Sequence, residues 1–323
     1  MNLTIFSDAR LSASASALLR EGVVPHELIV AKIPGRSVLA NPEPDPAFAT
    51  AEIAVGQPGI ASIRESEKLR WIHITSAGFT RYDTPEFRAL AAAHGLVVTN
   101  SSSVYAEPCA EHVFAFMLAH ARRLPHALRT QTDSGTPEWF ELRETSMPLR
   151  GRHVVILGYG AIAAHLVKLL APFGMKITAL RRQPRGDEGV AVVTPEQLPA
   201  ALATADHVIN VLPDNADSRH FIDAFRLAAM KRGVVFYNIG RGTTVEQSAL
   251  VEALRSGQLE AAWLDVTDPE PLPTDHPLLS TPNCFITPHI AGGHEHESES
   301  LVRHFLANLQ RYLVGSPLRD RIM

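Results

Sequence analysis

The chain has 323 residues, 46% hydrophobic and 20% charged, ordinary globular values that exclude a disordered or low-complexity protein. A formal net charge of -4 and a pI near 6.4 leave no basic footprint for nucleic acid or an acidic membrane surface. The length exceeds one ordinary core and predicts about two domains.

Cys109 and Cys284 are the only cysteines, too few for a disulfide framework and without metal-ligand spacing, so a cytoplasmic protein with no metal is expected. Asp8 and Arg10 interrupt the place where a signal peptide needs an apolar stretch. The most apolar segment, from Val154 onward, is broken by His165, Lys168 and Pro172 and cannot span a bilayer.

In chain order, strands are predicted at Leu3–Phe6, Leu28–Ala31, Ile53–Val55, Trp71–Thr75 and Leu96–Thr99, with helices such as Leu11–Glu21 and Pro85–His94 between them. Such alternation predicts βα units and a parallel sheet. The prolines of Asn41–Pro46 mark a loop. A long helix is predicted from about Glu107 to Arg129, and Thr130–Leu149, carrying Trp139 and Phe140, reads as an extended arm. A second α/β series follows, with strands at His153–Leu157, Lys176–Leu180, His207–Val211, Val234–Asn238, Ala261–Asp265 and Cys284–Ile286. Helices are predicted at Ala161–Phe173, Pro195–Ala203, Phe221–Met230 and Val245–Ser256, with a last one at about His294–Val314. No internal repeat is visible.

Gly158-Tyr159-Gly160-Ala161-Ile162-Ala163 stands between an apolar strand and a helix. In that context the first glycine permits a tight turn, the second lets backbone approach a pyrophosphate, and the helix start offers N–H groups to it. Gly158, Gly160, Ala161 and Ile162 are therefore candidate dinucleotide contacts. The next strand ends in Arg181-Arg182-Gln183-Pro184-Arg185, with no carboxylate until Asp187. An acidic residue there would hold the ribose 2′-hydroxyl of NAD, whereas Arg181 and Arg182 suit a 2′-phosphate. NADP(H) is preferred on this reading, with NAD(H) still usable; the bland alternative is a solubilising surface turn.

Arg241, Glu270 and His289 fall at the C-terminal ends of later strands, where open α/β sheets place ligands. Reducing a ketone by hydride transfer needs a cation to grip and polarise the acceptor, an acid to protonate the alkoxide, and a group to orient that acid. Arginine, histidine and a carboxylate fit those roles in turn. Taken singly, each has an ordinary reading as a surface ion pair or loop residue. His294 and His296 read as a solvent-facing helix start, not a metal site.

Gly158–Ala163, Met230–Glu246, Asp265–Leu272 and Thr287–Gly293 together resemble the D-isomer-specific 2-hydroxyacid dehydrogenase family, which includes glyoxylate/hydroxypyruvate reductases. Thr75-Ser76-Ala77-Gly78 and Ala106–Val113 are similar to it as well, so the resemblance covers nearly the whole chain. It implies an α/β protein of two Rossmann-like doubly wound domains with parallel sheets and the active site in the cleft between them. Residues 1–101 plus 294–323 would form the substrate domain, and 102–293 the dinucleotide-binding domain. Arg241, Glu270 and His289 would be the catalytic triad, His289 acting as general acid/base. Asp265 would hold the nicotinamide carboxamide, with Ile239, Gly240 and Gly292 as further cofactor contacts. The Ser76, Ala77 and Gly78 backbone, with Arg241, would take the substrate carboxylate. The implied reaction is NADPH-dependent reduction of a small 2-oxo acid to the D-2-hydroxy acid. The resemblance further implies a homodimer, the Trp139-Phe140 arm resembling the dimerisation segment. Formate dehydrogenases share the fold but carry glutamine at the position of Glu270. Corepressor-like dinucleotide sensors on the same fold can keep the triad and remain the alternative. Two departures stand out: Thr244 where the family has an apolar residue, and Arg181 where NAD-using members have Asp.

Overall fold

The computed structural model describes residues 2–33, 35, 42–130 and 133–323; Asn41, at the start of the proline-rich loop, lies outside them. The chain divides into two compact units, Met1–Tyr105 with Gly293–Met323, and Ala106–Gly292. Each is built on an all-parallel sheet with helices between its strands.

In the first unit the strands are β1 (Thr4–Ser7), β2 (Glu27–Val30), β3 (Ile53–Gly56), β4 (Trp71–Ile74) and β5 (Val97–Thr99), ordered β2-β1-β3-β4-β5. All four residues of β3 and of β4 are buried, as expected of central parallel strands covered on both faces. Alternation along the strands feeds two cores: Ile5, Ile53 and Trp71 enter one, their neighbours Phe6, Ala54 and Ile72 the other. The helix Pro85–His94 begins and ends where its sequence dictates. Thr84 accepts the Phe87 N–H, proline fills the first turn, and Gly95 closes the end at φ 60°.

The first unit is completed from the far end of the chain. On the helix Glu297–Leu313, Phe305 and Tyr312 each stack on Trp71 at 5.3 Å between ring centres. Buried Asn308 clamps the Arg319 peptide, accepting its N–H at 2.8 Å and donating to its carbonyl at 3.0 Å. The chain then pairs with β5, Ile322 and Met323 donating to the Val98 carbonyl and Val98 N–H to Met323.

The second unit contains β6 (His153–Leu157), β7 (Lys176–Leu180), β8 (Ala191–Val193), β9 (His207–Asn210), β10 (Val234–Asn238), β11 (Leu259–Leu264) and β12 (Cys284–Ile286). Their order is β12-β11-β10-β9-β6-β7-β8. The chain direction across the sheet therefore reverses at the β6–β9 boundary, the switch point at which doubly wound sheets bind ligands. Register brings Leu157 of β6 level with Asn210 of β9, Asn210 level with Asn238 of β10, and Asn238 level with Leu264 of β11. Four strand ends thus present their following loops side by side.

Three expectations are corrected. The long helix starts earlier, at Ser102, and stops at Ala121; Arg123 takes a left-handed φ of 55°, which breaks the run before a short helix at Leu124–Ala127. The segment expected to be an extended arm contains a helix, Pro137–Thr145. Its start carries an ordinary signature, Thr136 accepting the Trp139 N–H with proline in the first turn. Positions 131 and 132 of that arm lie outside the described residues. The strand β8 was not anticipated, because at a sheet edge Ala191 is exposed and Val192 and Val193 only half-buried, which gives little apolar signal.

Candidate active site

β6 delivers the chain to Gly158, whose φ of 101° lies in the region side chains rarely adopt. Gly160 then enters the helix Ala161–Leu170 in an extended conformation, and no side chain caps the first N–H groups. A Cβ built on Gly160 would meet nothing within 4 Å, so the turn leaves room above a positively poled helix start. Ala161 is exposed and Ile162 half-buried there, while Ala163 is fully buried and packs the helix down. These residues fit the pyrophosphate of a dinucleotide.

The loop after β7 is tied back onto this turn, the Tyr159 hydroxyl donating to the Glu188 carbonyl at 2.5 Å. Arg181 and Arg182 both occupy the loop, and each meets a carboxylate. Arg181 pairs with Glu188 at 3.1 Å, and Arg182 with Asp217 at 2.6 Å. Neither partner was anticipated: Glu188 lies past the strand end, and Asp217 comes from the loop after β9.

The loops after β10, β11 and β12 hold the remaining candidates. Behind Arg241 lies a buried polar staple of Asn210, Asn238 and Thr244. Asn238 accepts the Gly240 N–H at 3.1 Å and donates to the Arg241 carbonyl at 3.1 Å. Asn210 donates to Asn238 Oδ1 at 3.0 Å and to the Thr244 hydroxyl at 2.7 Å. The Thr244 hydroxyl donates in turn to the Arg241 carbonyl at 2.6 Å. Thr244 therefore helps fix the backbone that carries Arg241.

Two backbone crossings set the spacing of the loops. A Cβ on Gly240 would stand 2.6 Å from the Leu212 carbonyl oxygen, and one on Gly242 would stand 2.0 Å from the Thr267 carbonyl. Only glycine lets these chains pass. Ile239, beside them, is buried. Gln247 adds a second tie: its carbonyl oxygen accepts the Asp268 N–H at 3.1 Å, and its amide nitrogen donates to the Asp268 carbonyl. The loop so clamped holds Glu270, whose Oε1 accepts the Thr267 N–H at 2.9 Å.

His289 meets Glu270 directly, Nδ1 lying 2.7 Å from Oε2. Its backbone is held at φ 53°, a costly conformation for a side-chain-bearing residue that persists only where the surroundings over-determine it. Asp265 supplies that constraint. Its carbonyl accepts the His289 N–H at 2.9 Å, and its carboxylate accepts Ile290 N–H, Ala291 N–H and the Thr287 hydroxyl at 2.9, 2.9 and 2.6 Å. Asp265 is 1% exposed, so its visible work is shaping the turn that presents His289; Gly292 follows that turn, half-buried. His112 closes the network, 3.3 Å from the Thr287 hydroxyl. Burial holds the His112 imidazole below its ordinary range, against the pull of Asp265. A neutral ring donating from Nε2 to Thr287, while Thr287 donates to Asp265, satisfies all three.

The electrostatics favour an ionised Glu270. Burial pushes the Glu270 carboxyl up, but the hydrogen bonds from His289 and Thr267 N–H, and the nearby charge of Arg241, hold it below the usual carboxylate range. Glu270 is 30% exposed and His289 48%, so the pair is accessible. With Nδ1 committed to Glu270, Nε2 is left to exchange a proton with a ligand.

In the first unit, Ser76–Gly78 follows β4. The Ser76 hydroxyl donates to the Gly78 carbonyl at 2.6 Å and accepts from Gln57 at 3.1 Å, and Asn100 donates to the Ala77 carbonyl at 2.8 Å. The carbonyls of this segment are thus occupied from behind. Among the described residues, no group of three or more His, Cys, Asp or Glu side chains is arranged to hold a metal ion.

A doubly wound sheet with an uncapped glycine turn at its switch point, and a cation beside a His–carboxylate pair, defines a dinucleotide-dependent oxidoreductase. Residues 114–291 match the family model described as D-isomer specific 2-hydroxyacid dehydrogenase, NAD binding domain. The chain is 33% identical over 264 residues to glyoxylate/hydroxypyruvate reductase B of Citrobacter koseri, covering 78% of each. It is 35% identical over 235 residues to the human glyoxylate reductase/hydroxypyruvate reductase, covering 71% of this chain and 70% of that one. A solved D-isomer specific 2-hydroxyacid dehydrogenase from Xanthobacter autotrophicus Py2, in complex with NADPH and MES, superposes with a TM-score of 0.77 at 26% identity, covering 100% and 98%. The chain belongs to the D-isomer specific 2-hydroxyacid dehydrogenase family and is an NAD(P)-dependent oxidoreductase.

Sequence reasoning missed Gln247 and His112, each of which acts on a residue far along the chain, and Glu188, which folds back through its loop onto Arg181. The crossing at Gly242 has a measurable consequence. Gly242→Ala must push the Arg241 and Glu270 loops apart, and a displacement of about 1 Å at reacting groups costs on the order of a hundredfold in rate. Steady-state kinetics should record that loss in kcat, with the circular dichroism of the folded chain retained.

Proposed function

We propose that the protein reduces a small 2-oxo acid of the glyoxylate/hydroxypyruvate class to the D-2-hydroxy acid with NADPH, as a cytoplasmic homodimer. The observation that carries the reading is the 2.7 Å contact of His289 with Glu270, in a site that also places the Arg241 charge near Glu270. Curated relatives named glyoxylate/hydroxypyruvate reductases support the substrate class, and the NADPH complex of the Xanthobacter enzyme supports the cofactor. Both cysteines are free thiols, in keeping with a reducing compartment.

The turn Gly158–Ile162 would hold the pyrophosphate, and Arg181 with Arg182 the 2′-phosphate. When bound, the cofactor supplies the hydride. Arg241 grips the substrate carboxylate and polarises the ketone, and the backbone N–H groups of Ser76–Gly78 are assigned to that same carboxylate. His289, oriented by Glu270, delivers the proton from Nε2. Asp265 holds the His289 turn and keeps its expected role toward the carboxamide as part of this proposal.

A panel of 2-oxo acids with NADPH, followed by loss of reduced-cofactor absorbance, tests the reading; no turnover on any of them would favour a dinucleotide-sensing binding protein. Reduction needs a protonated His289, so its rate should fall as pH rises through the titration of that group, and oxidation should show the opposite limb. Removing the anion in Glu270→Gln disfavours the imidazolium and should move the falling limb to lower pH. His289→Ala should lower kcat by about a hundredfold or more with cofactor affinity little changed, whereas Arg241→Ala should damage both KM and kcat.

Arg181→Asp places a carboxylate against the 2′-phosphate. It should erase or reverse the preference for NADPH over NADH in kcat/KM, by about ten- to a hundredfold, and an unchanged ratio would refute the assignment.

The helix Pro137–Thr145 buries none of its residues, and Phe140, Leu124 and Leu128 are exposed apolar side chains nearby in the chain. Light scattering at micromolar concentration should record a dimer, with these side chains covered by a second copy. A stable monomer would end that part of the proposal.

A further inference from the structure

Arg181 and Arg182 differ in how their charges are met. Arg182 and Asp217 are each 73% exposed, and such a surface pair parts readily and counts for little. Glu188, by contrast, is 5% exposed and bonded at both carboxylate oxygens. Its Oε1 takes the Arg185 N–H at 2.8 Å as well as the Arg181 guanidinium at 3.1 Å, and its Oε2 takes the Gly186 N–H at 2.8 Å. Its own carbonyl is anchored to the glycine turn through Tyr159. The N–H of Arg185, followed by those of the loop and the Arg181 charge, holds the carboxyl below its ordinary range, so it is ionised. The strand end that offers arginines to a 2′-phosphate therefore contains a fixed anion bonded to the first of them.

We propose that Glu188 is a specificity-determining residue: as an immobile counter-charge on Arg181 it moderates the preference for a 2′-phosphorylated dinucleotide and keeps the unphosphorylated one usable. This rests on the reading that the Arg181 loop takes the 2′-phosphate. A phosphate arriving there meets a guanidinium already partly spent and a carboxylate that repels it. The neutral 2′-hydroxyl of NAD feels neither effect to the same degree. Because the carboxylate is also bonded to the loop backbone, glutamine can keep one acceptor in place while removing the charge.

Calorimetric Kd values for NADP+ and NAD+ test this without turnover. Glu188→Gln should tighten NADP+ and raise the NADP+ over NAD+ preference by about tenfold, with NAD+ moving less than about twofold. Glu188→Asp, which keeps the charge, should stay close to the parent, and Glu188→Ala serves as a second neutral variant should the glutamine form fold poorly. An unchanged or reduced preference in the neutral variants overturns the inference, as does an equal rise in Glu188→Asp, which would implicate loop shape instead of charge. Arg181→Ala separates the two levels. If it erases a preference that Glu188→Gln fails to raise, only the role of Glu188 falls. If neither Kd responds to Arg181→Ala, the phosphate site and this inference fall together.

Discussion

The close crossing of backbone at the C-terminal ends of β10 and β11 is the constraint on which the site depends. At Gly242 the chain passes so near Thr267 that no side chain fits between. That contact brings the loop bearing Arg241 against the loop bearing Glu270, and Gln247 ties the two a second time through the Asp268 peptide. His289 then closes on Glu270 from the third loop. Three loops that are separate in sequence become one rigid platform because parallel strands in register deliver them side by side. Without these ties Arg241, Glu270 and His289 would be present but displaced, which is the costly failure for a reaction that needs atoms aligned.

Rigidity here is obtained with polar groups. Asn210, Asn238 and Thr244 are buried and bonded to one another and to the Arg241 carbonyl. Asp265 spends a buried carboxylate on the turn after β12. Buried groups of this kind are costly when unpaired and highly directional when paired, so they fix geometry better than apolar contacts of similar area. The unfavourable backbone of His289 is the counterpart of that investment: it is maintained because Asp265 holds both its N–H and the residues that follow.

Much of this was legible before any coordinates. Short apolar runs and helical spacing placed most strands and helices: all five residues of β6 are buried, and Val154–Leu157 reads as an unbroken apolar run. The meeting of Glu270 and His289 was legible because residues at the ends of parallel strands converge by topology, and topology follows from the βα alternation. What was not legible came from contacts between distant positions. Glu188 folds back on Arg181 through a loop whose shape no spacing rule encodes, and Gln247 looks like any residue in a first helical turn. The Pro137–Thr145 helix was missed for a different reason: none of its residues is buried, so it carries no apolar stripe, and only its Thr-Pro start betrays it.

The first unit is closed by the chain's last segment, Trp71 lying against Phe305 and Tyr312 while Ile322 and Met323 pair beside β5. During synthesis, then, strands β1–β5 lack part of their cover until the helix Glu297–Leu313 has been made. The inserted unit, contiguous from Ala106 to Gly292, has its whole sheet available sooner and can form while the earlier strands still lack their covering helix. Until that helix forms, Ile5, Ile53 and Trp71 lack the cover of Phe305.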